Sequence, residues 1–235
     1  VAGFHDVMEV AIGADITADK EAHEFEERME KGEKLMTTSC CPAYVRAVKV
    51  HVPELLPCVS DTRSPMHYTA ELKKKANPDC VSVFIGPCLA KRKEGQDDEF
   101  VDYVLSVEEI GALFIAKEVE IGKQIVEECE GCKKPTSSAR NFAVTGGVAE
   151  AVKVRLKEPE KLRPAVINGL DKAGMKTLAT YGKIQTGDME STPDTPNLVE
   201  VMSCEGGCIA GPSVISNPRI AANQLKRYVE AGSKN

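Results

Sequence analysis

The stretch MTTSCCPAYV, residues 36–45, sets two cysteines side by side after a threonine pair and closes them with a proline. The run KLMTTSCC (34–41) is short, apolar and β-branched, and reads as a strand that delivers cysteine at its carboxyl end. The same text recurs in VSVFIGPC (81–88) and LVEVMSCEGGC (198–208), and a further apolar run is RPAVING (163–169). Helical stretches are expected near 43–50, 65–76, 107–118, 147–157 and 219–231. Such alternation implies an α/β fold with parallel strands, and ligands of open parallel sheets collect beyond the strand carboxyl ends. Near the start, Thr17 reads as the cap of a helix over 18–31 stopped by Gly32. The acidic stretch 94–102 and the Thr-, Pro- and Asp-rich segment 184–197 read as surface loops. TGGVAEAVKVRLKE (145–158) reads as a glycine turn opening a helix, without a complete phosphate-binding loop around it.

The chain has 235 residues, enough for one large domain or two small lobes with a real core. Thirty basic against 36 acidic residues leave a net charge of -6, and no basic stripe with interleaved aromatics is present, which argues against nucleic acid or a membrane surface as partner. The apolar runs are far shorter than the roughly 20 residues of a membrane span, and no basic segment followed by an apolar core opens the chain. The expected location is cytoplasmic. The first residues start mid-pattern, so the chain reads as a piece of a longer protein.

Nine cysteines are the anomaly. In a reducing compartment such a number points to metal or redox chemistry before disulfides, and an odd total fits pairing poorly. Cys58 and Cys80 read as small buried hydrophobes. Cys204 and Cys208 stand four apart with glycines between them, so the backbone can wrap closely around an object. That spacing admits zinc. Single cysteines at other strand ends, Cys41 and Cys88, complete a set from three separate turns, which favours a cubane iron–sulfur cluster over zinc. Glu21 and Glu24, three apart on one helix face, read by spacing alone as a solvated acidic surface. Lys91 and Glu94 likewise read by themselves as a surface ion pair.

TSCCPAY, GPCLAKRKE and VMSCEGGCIAGP resemble, in order and spacing, the three signature segments of the iron-only (FeFe) hydrogenase catalytic domain. GADITADKEAHEFEERM, PELLPCVSDTRSPM and FAVTGGVAEA resemble its linking segments, so the likeness covers most of 3–218. The resemblance implies two lobes of mostly parallel sheet flanked by helices, with a metal cluster in the cleft between them. It implies an H-cluster, in which a 4Fe-4S cubane on Cys41, Cys88, Cys204 and Cys208 is joined through Cys208 to a two-iron unit carrying CO, cyanide and a bridging azadithiolate. Cys40 would then face the azadithiolate and pass protons to it, because neighbouring residues on extended backbone point to opposite sides. Behind it Glu21, Ser60 and Glu24 match a proton relay. Lys91 matches a partner of iron-bound cyanide, and Glu94 matches the acid that holds that lysine. Ser64, Pro65, Met66, Pro87, Phe142 and Met202 match positions around the cofactor.

The same comparison shows departures. Gly86 stands where a methionine is usual, Met66 where a glutamine is common and Tyr44 where a tryptophan is common, while IAGPSV replaces a glycine-rich run after Cys208. These changes look like a divergent branch of the family. The resemblance implies reversible conversion of protons and electrons to H2, with a ferredoxin-like electron partner or an N-terminal iron–sulfur domain, and maturation proteins that load the two-iron unit. A slow H2 sensor, and an iron–sulfur assembly-type relative carrying the cubane alone, are the alternatives. The whole chain is read as a partial H-cluster domain lacking the upstream segment and accessory ferredoxin-like domains. Cys129 and Cys132 lie outside the signatures and read as a surface pair or half of another metal or disulfide site.

Overall fold

The structure is a computed structural model and describes residues 2–124 and 134–232; Cys129 and Cys132 lie outside the described residues. Five strands form two parallel sheets: β1 (Met36–Thr37), β5 (Leu198–Met202) and β4 (Pro164–Asn168) lie in that order, and β2 (Val83–Gly86) pairs with β3 (Tyr103–Ser106). The β4–β5 register runs from Pro164 opposite Leu198 to Asn168 opposite Met202, and β2–β3 from Val83 opposite Tyr103. β5 is central and buried along its whole length, as expected of a strand covered on both faces.

The helices, in chain order, are α1 (Ala11–Glu30), α2 (Pro42–His51), α3 (Pro65–Ala76), α4 (Ala90–Gln96), α5 (Val107–Ala116), α6 (Ser137–Arg140), α7 (Gly147–Lys153), α8 (Lys172–Thr186) and α9 (Pro218–Gly232). Among the described residues no helix is long and apolar enough to cross a membrane. α2, α3, α5 and α9 fall where the sequence puts them. α1 begins seven residues before the expected start, because Thr17 does not cap it: its hydroxyl bonds to the carbonyls of Gly13 and Arg63 from mid-helix. Gly32 follows the helix with φ +81°, a left-handed turn that closes it. The acidic stretch 94–102 is not simply a surface loop. It contains the end of α4, and the side chain of Asp98, 2% exposed, holds His67 Nδ1 at 2.7 Å.

α8 is absent from the expected pattern, although its ends are signalled. Asp171 caps Gly174 N–H at 2.8 Å, and Gly187 turns left-handed after the last turn. Its low apolar content and internal glycines hide it; Gly174 and Gly182 are where the helix meets the Gly169 carbonyl and the Val52–Glu54 segment. Three cores surround the larger sheet: one of Leu35, Tyr44, Val48, Leu55, Leu178 and Val201, one under α1 with Phe142 and Met202, and one with Phe25, Met36 and Leu198. Cys58 lies in the first at 1% exposure, as its apolar context implies; Cys80 is half-buried.

α1 and α3 touch at Gly13, where any Cβ would run into the Pro65 carbonyl and the Thr69 side chain. Gly13→Ala is therefore expected to destabilise the fold by about 1–3 kcal/mol through overpacking. Gly32→Ala, which meets nothing within 4 Å but keeps a positive φ, should cost about 1 kcal/mol from backbone strain alone. Urea unfolding of both variants checks this order, and a smaller loss at Gly13 than at Gly32 would reject it.

Candidate metal centre

Both sheets deliver cysteine at or just beyond their carboxyl ends. Cys41 follows β1 as the N-cap of α2, with Pro42 at the first helical position, where its missing N–H costs nothing. Cys88 follows β2, and Cys204 and Cys208 follow β5. The two sheets are tied at this seam by Ser213 N–H donating to the Pro87 carbonyl at 3.3 Å. In the loop after β5, Gly206 and Gly207 adopt φ +90° and +87°. A Cβ on Gly207 would lie 2.7 Å from the Ala143 carbonyl oxygen and from Thr145 N, so glycine is required by close approach as well as by φ.

The thiols feel one another. Desolvation pushes Cys208 up to about 12, with Cys41, Cys88 and Cys204 adding to the rise and Lys91 opposing it. Desolvation also raises Cys204, aided by Cys41 and Cys88. Cys41 and Cys88 thus lie near enough to act on both Cys204 and Cys208, and Cys40 lies near Cys41 and Cys208 as well. A single tetrahedral zinc would bring four sulfurs to about 3.8 Å of each other, from Zn–S bonds of about 2.3 Å. Among the described residues no three His, Cys, Asp or Glu gather closely enough to hold one ion. Four thiols supplied by three separate turns, with glycine backbone between two of them, match the donor chemistry of a cubane.

Cys40 keeps some exposed surface as a residue, yet its thiol is desolvated, which drives its pKa well above the usual thiol range with Glu21, Cys41, Glu200 and Cys208 contributing. It packs with Phe142, Met202 and Ala14 on the α1 side, while Cys41 packs on the opposite core with Tyr44 and Val48. Two adjacent side chains therefore serve two different cores.

Glu21 is fully buried. Its Oε1 accepts the Ser39 N–H at 3.2 Å, and its Oε2 has no hydrogen-bond partner. Desolvation, together with the charges of Glu24 and Glu200, lifts it to about 8. The solvated-surface reading of Glu21 is thus wrong: tertiary packing covers that face of α1. Ser60 lies close enough to lower the Glu21 pKa somewhat, but its hydroxyl donates to Glu24 Oε2 at 2.6 Å. Glu24 also accepts from Asp61 N, Thr62 Oγ1 and Arg28. Burial alone would raise its pKa, but these donors outweigh burial and hold it below the usual range. Glu21, Ser60 and Glu24 are thereby brought into one row running from the thiols toward the exposed Asp61.

Lys91 is 9% exposed and does not form a surface pair. Its Nζ donates to Glu94 Oε2 at 2.7 Å and to the Cys40 carbonyl at 3.3 Å, while Ser64 Oγ donates to Glu94 Oε1. Pro65 opens α3 next to that serine. Met66 packs with Ala70, Val101, Phe84 and Phe100 in the core of the smaller sheet. At Gly86 a Cβ would lie 2.5 Å from the Phe84 ring, so a neighbouring aromatic fills the space a side chain would take there.

Glu200 and Asn168 escape the sequence reading, though both sit on strands already recognised. Glu200, in the middle of β5 and 0% exposed, accepts from Gly146 N at 2.7 Å and Ala149 N at 2.8 Å. The glycine turn that opens α7 thus binds an anion from within the chain. Desolvation raises the Glu200 pKa despite these donors. Asn168 Oδ1 accepts from Thr145 Oγ1 at 2.8 Å and Gly206 N at 2.7 Å, clamping the turn to the cysteine loop. A buried acid in an apolar strand run is the signal that could have exposed Glu200.

Parallel strands of two sheets, with cysteines beyond their carboxyl ends and a buried acid behind them, define the α/β class of this protein. The family model for the iron-only hydrogenase large subunit, C-terminal domain, matches residues 1–212, and the chain belongs to that family. It is 27% identical to the periplasmic [Fe] hydrogenase large subunit of Nitratidesulfovibrio vulgaris over 89% of this chain and 59% of that protein. The chain spans 43% of the length of two further curated hydrogenase relatives. It is also 30% identical, over 46% of its length and 24% of the relative, to the cytosolic Fe-S cluster assembly factor NAR1 of Kluyveromyces lactis. A variant of the FeFe-hydrogenase HydA1 from Chlamydomonas reinhardtii shares the fold, with a TM-score of 0.72 over 97% of this chain and 74% of that one at 22% identity.

The pH dependence of stability follows from Glu21. In the unfolded chain it ionises near 4.5, and in the folded chain near 8. The folded state holds the proton more tightly, so the contribution is full below about pH 4.5 and is lost as pH rises through about 8. The unfolding free energy is expected to fall between about pH 5 and 8, and Glu21→Gln, which stays neutral, should remove a few kcal/mol of that fall at about 1.4 kcal/mol per unit. Urea unfolding across this range measures it; parallel curves for the two proteins would reject the buried neutral acid.

Proposed function

We propose that this chain forms a centre for the reaction 2 H⁺ + 2 e⁻ ⇌ H₂, with a 4Fe-4S cubane on Cys41, Cys88, Cys204 and Cys208 and, through Cys208, a two-iron unit bearing CO, cyanide and azadithiolate. The observation that carries the reading is Cys40, a desolvated thiol outside the four-thiol set, backed by the row Glu21, Ser60 and Glu24. When bound, the two-iron unit supplies the place where dihydrogen is made or split, and the cubane supplies the electron route.

The residues supply the protons. Glu24, held by Arg28 and the 60–62 loop, takes a proton at the outer end of the row. The Ser60 hydroxyl both donates and accepts, so it can receive a proton from Glu24 and release its own toward the free Oε2 of Glu21. Glu21, with a pKa of about 8, can hold or release a proton near neutral pH, as a relay acid must. Cys40, whose thiol burial keeps protonated and whose side chain packs in the core under α1, stands outside the four motif positions as the proton donor. Lys91, fixed by Glu94, directs a buried cation into the same pocket, suited to hydrogen-bond a cyanide nitrogen. Phe142 and Met202 close the Cys40 side against water. Electrons come from an iron–sulfur partner or another part of the polypeptide, in a reducing compartment where free thiols persist until iron is loaded.

Likeness to cluster assembly factors supports a second reading, a chain that carries the cubane alone. It leaves the buried Lys91 and the Cys40 row without a task. Infrared bands of bound CO and cyanide after maturation support the first reading; a cubane without them supports the second. Cys40→Ala is expected to keep its cubane, by iron and sulfide analysis, while losing about 10²–10⁴ of H2 turnover, the usual share of one acid–base group. Loss of the cluster in that variant would overturn the role given to Cys40.

A further inference from the structure

Ser203 stands between Met202, the last residue of β5, and Cys204. Its side-chain oxygen lies 3.4 Å from Cys41 Sγ. Backbone bonds pin it to the turn after β4: Leu170 N–H donates to the Ser203 carbonyl at 3.2 Å, and Gly169 N–H donates to the Met202 carbonyl at 2.8 Å. Cys41 is fixed in turn as the N-cap of α2, its carbonyl accepting Val45 N–H at 3.1 Å. The contact therefore joins two held backbones across 162 residues of sequence. Among the described residues, Cys41 is the member of the four-thiol set whose sulfur has a side-chain hydrogen bond.

In the free protein the thiol donates and the hydroxyl accepts. A cysteine bound to iron is a thiolate with no proton to give, and a serine hydroxyl is both donor and acceptor. On ligation the polarity of the contact must reverse, with Ser203 O–H donating to the Cys41 sulfur. We propose that Ser203 sets the reduction potential of the cubane through this O–H···S bond to one corner ligand, a role that rests on the ligand reading of Cys41 given above.

One electron from an added reductant increases the negative charge of the core and its thiolates by one, with no bond or proton exchanged. A hydrogen-bond donor aimed at a ligand sulfur stabilises that more negative state, so the potential lies higher than without it. The partly buried setting strengthens the effect relative to water.

The test uses the full chain, reconstituted anaerobically with iron and sulfide, in an electron paramagnetic resonance redox titration of the cubane. Ser203→Ala is expected to shift the midpoint to more negative potential, and Ser203→Thr, which restores a hydroxyl, to return it toward the parent value. An exchangeable-proton coupling to the reduced cubane, seen as a difference between H2O and D2O, should vanish in Ser203→Ala and persist in Ser203→Thr. A cubane of unchanged potential and unchanged coupling in Ser203→Ala overturns the proposal and leaves the ligand set standing. A parent chain that takes up no cubane overturns the ligand set, and this proposal with it.

Discussion

Gathering four thiols in a desolvated seam is unfavourable in itself, and the rest of the structure is arranged to enforce it. Cys204 and Cys208 are harder to ionise because the seam excludes water and because the other thiols stand near. Nothing in the thiols holds them together, so backbone must. The strand ends of two parallel sheets fix where each cysteine leaves, Asn168 clamps the cysteine loop to the glycine turn, and Gly207 lets that loop rest on the backbone of 143–145. Lys91 brings the compensating cation.

The same economy of space explains the buried acids. Glu200 satisfies the amide groups at the start of α7. Glu21 is different in kind. One of its oxygens lacks a partner, a condition uncommon among buried polar atoms and costly unless put to use. Its neighbours are the Cys40 thiol on one side and Ser60 with Glu24 on the other. The unpartnered oxygen and the raised pKa set Glu21 apart from the fully satisfied Glu200.

Adjacent Cys40 and Cys41 show how one turn serves two chemistries. Cys41 joins the core behind α2, and Cys40 joins the core under α1 beside Phe142 and Met202. The extended backbone at this point, φ -94° and ψ 103° at Cys41, separates them. Two neighbouring thiols thus face different surroundings, one in each core.

Much of the architecture was legible along the chain. Short β-branched runs ending in cysteine marked β1, β2 and β5 because buried parallel strands read as continuous apolar text, and the order of the three cysteine segments sufficed to indicate the family. What stayed hidden depended on contacts between distant residues. Glu21 and Lys91 look like surface charges until α1 and α4 are packed. α8 is invisible until its glycines meet the backbone they fit against. Ser203 meets Cys41 only through the closing of the larger sheet. The sequence by itself determined which residues could bind, donate or form strands, since those are properties of side chains and local pattern. Which of them are deprived of water, and which face one another, was decided by the tertiary structure, because desolvation and proximity arise only when separate elements share one interior.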